Sequence, residues 1–275
     1  MKKRILIITT VLLFTGCSFS QSQSNIHYTF GVIETSSARK YTVIKYYNDD
    51  GKKVASTKLD EAQVGTSFNT TSYHDGYAYI NNIGLQGHKN PQNIIQIKGN
   101  STKVNKLHLP GTAIDAVSAD DHYYYGVSNL NDYGYLTQMN FKEKKVNEIK
   151  EKSRFSYMVV PSHSKVYNFV DIENDIACDI YDQNLKRLKS ISLTQYGDNI
   201  CKYYTDKDTL YFSFNNQNKY IGQLNMNTDE LKIIDMPYSY ADNIYVNDGK
   251  IYVFSIILFQ MKAIRFVFLI KIRIN

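Results

Sequence analysis

No tryptophan occurs in this chain, and only four prolines and three cysteines are spread over 275 residues. Three cysteines are too few for a disulfide scaffold, which a chain long enough to bury a full core in one or two domains does not need. Cys178 and Cys201 either pair in an oxidising compartment or pack as small apolar thiols. Helical periodicity is missing as well, which excludes the helical solenoids. None of the six histidines, His27, His74, His88, His108, His122 and His163, has HExxH or other metal-ligand spacing, so they read as structural or solvent-facing. There is no GxSxG elbow, no Walker-type loop and no Cys/His arrangement for a nucleophile.

Acidic residues are absent from both ends, and this decides the meaning of the formal charge of +6. Lys2, Lys3 and Arg4 stand at the amino terminus, and Lys262, Arg265, Lys271 and Arg273 at the carboxyl terminus. Without these seven the 32 basic residues fall to 25 against 26 acidic ones, so residues 18–255 carry a formal charge of −1. A basic groove for a phosphate backbone is excluded, and no nucleic-acid partner is expected.

What is abundant is aromatic: 24 tyrosines and 13 phenylalanines, residues that fit a pleated, half-buried surface. The tyrosines recur. "DGYAYI", "DHYYYG", "HSKVYN", "KDTLYF" and "DGKIYV" place Tyr79, Tyr125, Tyr167, Tyr211 and Tyr252 at spacings of 46, 42, 44 and 41. A second series, Gln96, Gln138, Asp179 and Gln223, keeps the same beat at 42, 41 and 44. Each unit divides into an inner strand, a Tyr-rich strand, a Gln strand, a tight polar turn and an outer polar-apolar strand. Four strands in about 40–45 residues is one β-propeller blade. The fold expected is therefore all-β, a propeller of four-stranded blades, about five to six in number and incomplete or poorly closed, with a β-sandwich as competitor. Residues 27–65 supply the last three strands of a first blade, and four complete units run from about 66 to 236. A further unit opens at "SYADNIYVNDGKIYVFS".

The amino terminus reads "MKKRILIITTVLLFTGC": a basic start, an apolar run from Ile5 to Phe14 too short to span a bilayer, then Thr15-Gly16-Cys17. This resembles the lipobox of bacterial lipoproteins, with Phe14 departing from the usual leucine. The resemblance implies cleavage before Cys17, acylation of its thiol and an extracytoplasmic, membrane-anchored protein. Residues 1–17 are the expected signal peptide, 18–26 a polar tether, 27–255 the repeats and 256–275 an atypical tail. An ordinary secretory signal cut near Ser18 or Ser20 is the alternative.

The "DGKIYVFS" and "NMNTDELKIIDMP" phrases resemble extracellular propellers of the YVTN type, which share their architecture with lactonase-like propellers. The likeness covers most of residues 66–255 and implies fold far more than activity. Asn69, Asp115, Tyr157, Asn199 and Asp242 recur on the inner strands at spacings of 46, 42, 42 and 43. Asn69, Asp115, Asn199 and Asp242 are the ligand-binding candidates, since such oxygens could face a central channel and hold sugar hydroxyls or a hard cation. The opposing reading has them satisfying backbone groups at strand ends. The repeat tyrosines are assigned to packing rather than to ligand stacking.

The expected function is a lipid-anchored binding or scaffold module for a protein or carbohydrate ligand, without catalytic residues, cofactor or metal. A lactonase-like hydrolase using a channel-bound divalent cation is the alternative from another class, and a non-functional truncated product is a third. The last bears on residues 256–275, where fourteen of twenty residues are apolar and Asp, Glu, Gly, Pro and Tyr are all absent. Four cations argue against a membrane span. The tail is read as out of frame or as strands patching an open last unit.

Overall fold

The computed structural model describes residues 9–12, 26–35, 40–65, 71–82, 94–99, 101–111, 113–162, 164–214, 219–257 and 266–273. These residues form antiparallel sheets and, among them, no α-helix; a 3₁₀ turn spans Thr194–Tyr196. No helix among them is long and apolar enough to cross a membrane.

Sheet one contains β1 (Thr9–Leu12), β2 (Phe30–Glu34), β3 (Thr42–Tyr47) and β4 (Lys53–Leu59). Sheet two contains β5 (Ser72–His74), β6 (Tyr77–Asn81), β7 (Ile94–Lys98) and β8 (Val104–Leu107). Sheet three follows with β9 (Ile114–Ala119), β10 (Tyr123–Leu130), β11 (Tyr133–Asn140) and β12 (Val146–Lys152). Sheet four has β13 (Phe155–Ser162), β14 (Lys165–Ile172), β15 (Asp175–Asp182) and β16 (Arg187–Ser192). Sheet five has β17 (Ile200–Asp206), β18 (Thr209–Phe214), β19 (Tyr220–Asn225) and β20 (Glu230–Asp235). Sheet six has three strands among the described residues, β21 (Ala241–Asn247), β22 (Lys250–Ile257) and β23 (Phe266–Arg273). Strands follow one another in sequence order within every sheet. The chain divides into two compact units, Met1–Pro161 and Ser162–Asn275.

Two placements concern the chain's ends. In the uncleaved chain the inner position of sheet one, which the sequence left empty, is taken by β1 from the apolar leader, with Val11 opposite Val32, a strand that cleavage before Cys17 would remove. Part of the tail, β23, pairs with β22 as the third strand of sheet six.

Burial explains why these segments are strands. The middle strands are covered on both faces: β14 is buried from Val166 to Val170, and β15 from Ile176 to Tyr181. The outer strands are more exposed, and β12 alternates between exposed and half-buried residues. In the first unit one core joins Ile33, Ile44 and Tyr46 of sheet one to Ala78, Ile80, Ile95 and Ile97 of sheet two. The other face of sheet two, through Tyr79 and Ile94, packs on Ile114, Val117 and Ala119 of sheet three. In the second unit Tyr211 and Ile221 of sheet five pack on Ile244, Val246, Ile251 and Val253 of sheet six.

The two sequence repeats prove to be one interaction. Gln96 Nε2 donates to the Tyr79 hydroxyl at 3.1 Å, and Gln138 to Tyr125 and Gln223 to Tyr211 at 3.4 Å each. In sheets two and three the ladder extends one strand further, where Asn105 and Asn147 each donate to the glutamine oxygen at 3.0 Å. Tyr125 in turn donates to Asp120 at 2.7 Å. Burial, reinforced by that carboxylate, pushes its phenol well up. Sheet four departs from the pattern. Ile180 stands opposite Tyr167, and Asp179 opposite Asn168, so Asp179 is one residue out of step with the glutamines and faces the other way. Tyr167 instead donates towards the Met226 carbonyl (2.6 Å) and Asp229 (2.8 Å) in the β19–β20 hairpin, while Lys165 pairs with Asp229 at 2.7 Å. Tyr28 in the first unit likewise reaches the Ser101 carbonyl, 3.3 Å away between β7 and β8.

The polar turns ahead of the outer strands share a construction. Asn48, Asn140, Asp182 and Asn225 each cap backbone N–H groups two to four residues on, at 2.9–3.2 Å. Each such turn also contains a left-handed residue, Gly51, Lys144, Leu185 or Asp229, at φ 69°, 56°, 59° and 57°.

Two predictions follow from the packing. Gly222 lies directly opposite Phe212, and a Cβ there would sit 2.1 Å from the end of a fully buried ring wedged against Phe169 and Phe214. Gly222→Ala is expected to cost about 1–3 kcal/mol by overpacking, read as a lowered urea midpoint. The Tyr46 phenol, fully buried, is pushed up by that burial from 10.0 to about 12. The unfolded chain therefore loses this proton first as pH rises, and stability present below pH 10.0 falls as pH approaches 12. Urea titrations across that range should show Tyr46→Phe losing less stability than the parent.

Candidate functional site

Inner strands were expected to carry the ligand-binding side chains, and their register singles out two of these positions. In sheet three Val127 pairs with Ala116 and Ser128 with Ile114, so Asp115 is an extra residue bulging out of β9. In sheet six Ala241 pairs with Ser255 and Asn243 with Phe254, which leaves Asp242 in the same situation on β21. Sheet five is irregular at the corresponding place, where Cys201 and Lys202 lie between the Ile200–Phe214 and Tyr203–Phe212 pairs. A bulge adds a residue to one strand and re-aims its side chain, so two of the four candidates are directed by backbone irregularity rather than by strand alternation.

Partners differ from one candidate to the next. Asp115, half-buried, accepts a hydrogen bond from Asn129 Nδ2 at 2.9 Å, and the same nitrogen donates to the Ser156 carbonyl on β13 at 2.7 Å. Burial pushes the Asp115 carboxyl up, and the Asn129 hydrogen bond only partly offsets this. Asn199 is exposed and turned onto its own backbone, its Oδ1 accepting from Ile200 N at 2.7 Å, as the strand-end reading anticipated. Asp242 is half-buried, and its backbone carbonyl lies 3.5 Å from Ser213 Oγ. Asn69 and Cys17 lie outside the described residues. Asp115 belongs to the first unit, and Asn199 and Asp242 to the second.

Asn129, Ser156 and Ser213 were not foreseen from sequence. All three take part in one recurring device, a polar side chain near the end of a second strand that bonds the inner strand of the next sheet. Asn81 donates to the Ile114 carbonyl at 3.2 Å, Asn129 to that of Ser156, and Ser213 to that of Asp242. Ser213 also serves its own sheet, accepting from Lys202 N at 3.2 Å. The sequence signal of the donors Asn81, Asn129 and Ser213 is faint, a small polar residue two or four positions after a repeat tyrosine.

His27, His108 and His122 are exposed; His74 is half-buried and bonds Asp121 at 2.9 Å, while His88 and His163 lie outside the described residues. Among the described residues no three His, Cys, Asp or Glu side chains gather closely enough to hold a metal ion. Cys178 is a free, buried thiol, pushed well up by its burial and so unreactive.

No protein-family model matches the sequence, and no curated protein is similar to it. Solved structures do match. The Pan2 WD40 domain of Neurospora crassa aligns at 12% identity and TM-score 0.51 over 81% of this chain and 68% of its own. A chain of the nidogen/laminin complex aligns at 7% identity and TM-score 0.51, covering 78% of this chain and 82% of that one. Dihydro-heme d1 dehydrogenase NirN in complex with DHE aligns at 12% identity and TM-score 0.50 over 82% of this chain, which spans only 49% of NirN. These are β-propellers, and the present chain has that fold, its sheets being the blades. At such identities the likeness extends to fold and no further.

The Asp115 environment yields a stability prediction. An unfolded carboxyl ionises near 3.8, while the folded one holds its proton to higher pH, so ionisation at neutral pH works against folding. Asp115→Asn keeps an acceptor for Asn129 and removes that penalty. Relative to the parent, the variant should gain stability in urea melts as pH rises from below 3.8 to neutrality; a gap that stays constant with pH would refute the assignment.

Proposed function

We propose that this chain is an extracytoplasmic lipoprotein, held at the membrane through an acylated Cys17, whose propeller is a binding or scaffold module for a protein or carbohydrate ligand. The observation that carries the non-catalytic part of this reading is the employment of the polar groups at and beside the inner strands. Asn81, Asn129 and Ser213 are occupied in bonding the second strand of one sheet to the inner strand of the next, and Asn199 in capping its own strand. Such groups fix a rigid scaffold and leave ligand recognition to the bulged carboxylates and to the surface loops.

The anchor rests on Thr15-Gly16-Cys17 following the apolar run Ile5–Phe14, and on the near-neutral charge of residues 18–255, which calls for no polyanionic partner. Acyl chains on one cysteine hold a protein at the bilayer by about 0.8 kcal/mol for each buried methylene, so more than one chain gives a stable anchor.

Metabolic labelling with an alkyne fatty acid tests this directly. The parent chain should carry the label and sediment with membranes. Cys17→Ala should lose the label and leave the membrane fraction, and a label that survives the substitution would overturn the anchor.

A further inference from the structure

Sheet one is built differently from the other sheets. Its inner strand, β1, comes from the apolar leader, and cleavage before Cys17 takes that strand away. β6, β10, β14, β18 and β22 keep their inner partners in the processed chain, whereas β2 loses its own. In an antiparallel sheet successive residues turn their N–H and C=O groups to one neighbour and then to the other. Removal of β1 therefore leaves every second residue of Gly31–Glu34 with unpaired backbone groups. That edge is firmly held from behind. β3 pairs with β2 from Phe30 to Glu34, and Ile33 is buried in the core shared with sheet two. The edge also lacks the devices that blunt an open strand, since Phe30–Glu34 contains no proline and no lysine, and its one charge, on Glu34, is paired with Lys45.

We propose that in the processed protein the inner edge of sheet one is a docking site for an extended, uncharged, β-branched segment of a second polypeptide, added as a strand antiparallel to Gly31–Glu34. The leader shows what the edge accepts. Thr9, Thr10, Val11 and Leu12 stand opposite Glu34, Ile33, Val32 and Gly31, and no charged residue occurs from Ile5 to Phe14. Backbone hydrogen bonds supply the binding, and β-branched residues favour the extended form that the edge requires. What remains of this chain offers no such strand. The new amino terminus, "CSFSQSQSN", is a serine- and glutamine-rich tether without a β-branched residue, and the tail strand β23 is engaged with β22. This inference rests on the lipoprotein reading and gives its binding module a peptide partner. Cys17 labelling reads the anchor, whereas peptide binding to an unprocessed chain reads the edge, so either can fail alone.

The probe is a synthetic peptide of residues Ile8–Leu13, "ITTVLL", with terminal lysines for solubility, and the readout is amide hydrogen exchange at Gly31–Glu34. Three full chains are compared: the processed lipoprotein in detergent, Cys17→Ala with its leader retained, and Cys17→Ala carrying Thr10→Pro and Val11→Pro. Two adjacent prolines remove a ladder N–H whichever way the leader strand alternates, and so open the edge without cleavage. The peptide should slow exchange saturably, by about tenfold or more, in the processed and the proline-carrying chains. It should change nothing in Cys17→Ala alone, where the leader already occupies the edge. The same peptide N-methylated at Thr10 and Val11 should protect neither open chain. The proposal is overturned if the unmodified peptide gives no saturable protection in the open chains, or if the N-methylated peptide protects equally. It is also overturned if the processed protein protects Gly31–Glu34 unaided, through its own tail or, where protection grows with protein concentration, through a second copy. The proline-carrying chain decides the matter should the processed one fail to fold.

Discussion

A four-stranded sheet whose middle strands are apolar on both faces cannot stand in water by itself, and the rest of this structure answers that constraint. Sheet two shows the solution most plainly. Ile95 and Ile97 turn towards sheet one while Tyr79 and Ile94 turn towards sheet three, so its two faces belong to two different cores. Each fully buried Ile or Phe contributes about 1.5–3 kcal/mol, and none of that is available until a neighbour arrives. Stability of this kind is a sum over adjacent pairs, as in other repeat architectures.

Apolar faces alone would let neighbouring sheets slide, and the polar side chains prevent it. Within a sheet the Tyr–Gln–Asn ladder sets three strands in one register, because a slip by a single residue would break two partly buried hydrogen bonds. Between sheets, Asn81, Asn129 and Ser213 set the second strand of each sheet against the inner strand of its successor. Buried polar groups of this sort are costly when half-satisfied, so each bond in the ladder and between the sheets counts towards a single arrangement.

Much of the architecture was legible in the sequence, for a physical reason: tyrosine and glutamine recur together because they bond each other, and a recurring bond leaves a recurring spacing. The same reasoning failed at Asp179. Matching it to the glutamines by polarity placed it one residue out of register, and the hairpin pairing of Lys165 with Asp182 shows Ile180 to be the true counterpart. The inner-strand candidates were found for a reason the sequence did not display. Asp115 and Asp242 stand at bulges, and a bulge is an extra residue that strict alternation does not reveal. Asn129, which Asp115 depends on, lies fourteen residues away on another strand and carries no motif of its own. Thr9–Leu12 forms a strand although its residues also read as a leader, because apolar β-branched runs suit either role.

The tyrosines that reach forward along the chain bear on the order of events during folding. The Tyr28 hydroxyl finds its acceptors at Lys98 and Ser101, and Tyr167 finds its own at Met226 and Asp229. A sheet emerging first, as in vectorial synthesis, holds a phenol whose partner has not yet been made. Each blade is therefore finished by the one that follows it, and the growing end of the molecule is always its least settled part.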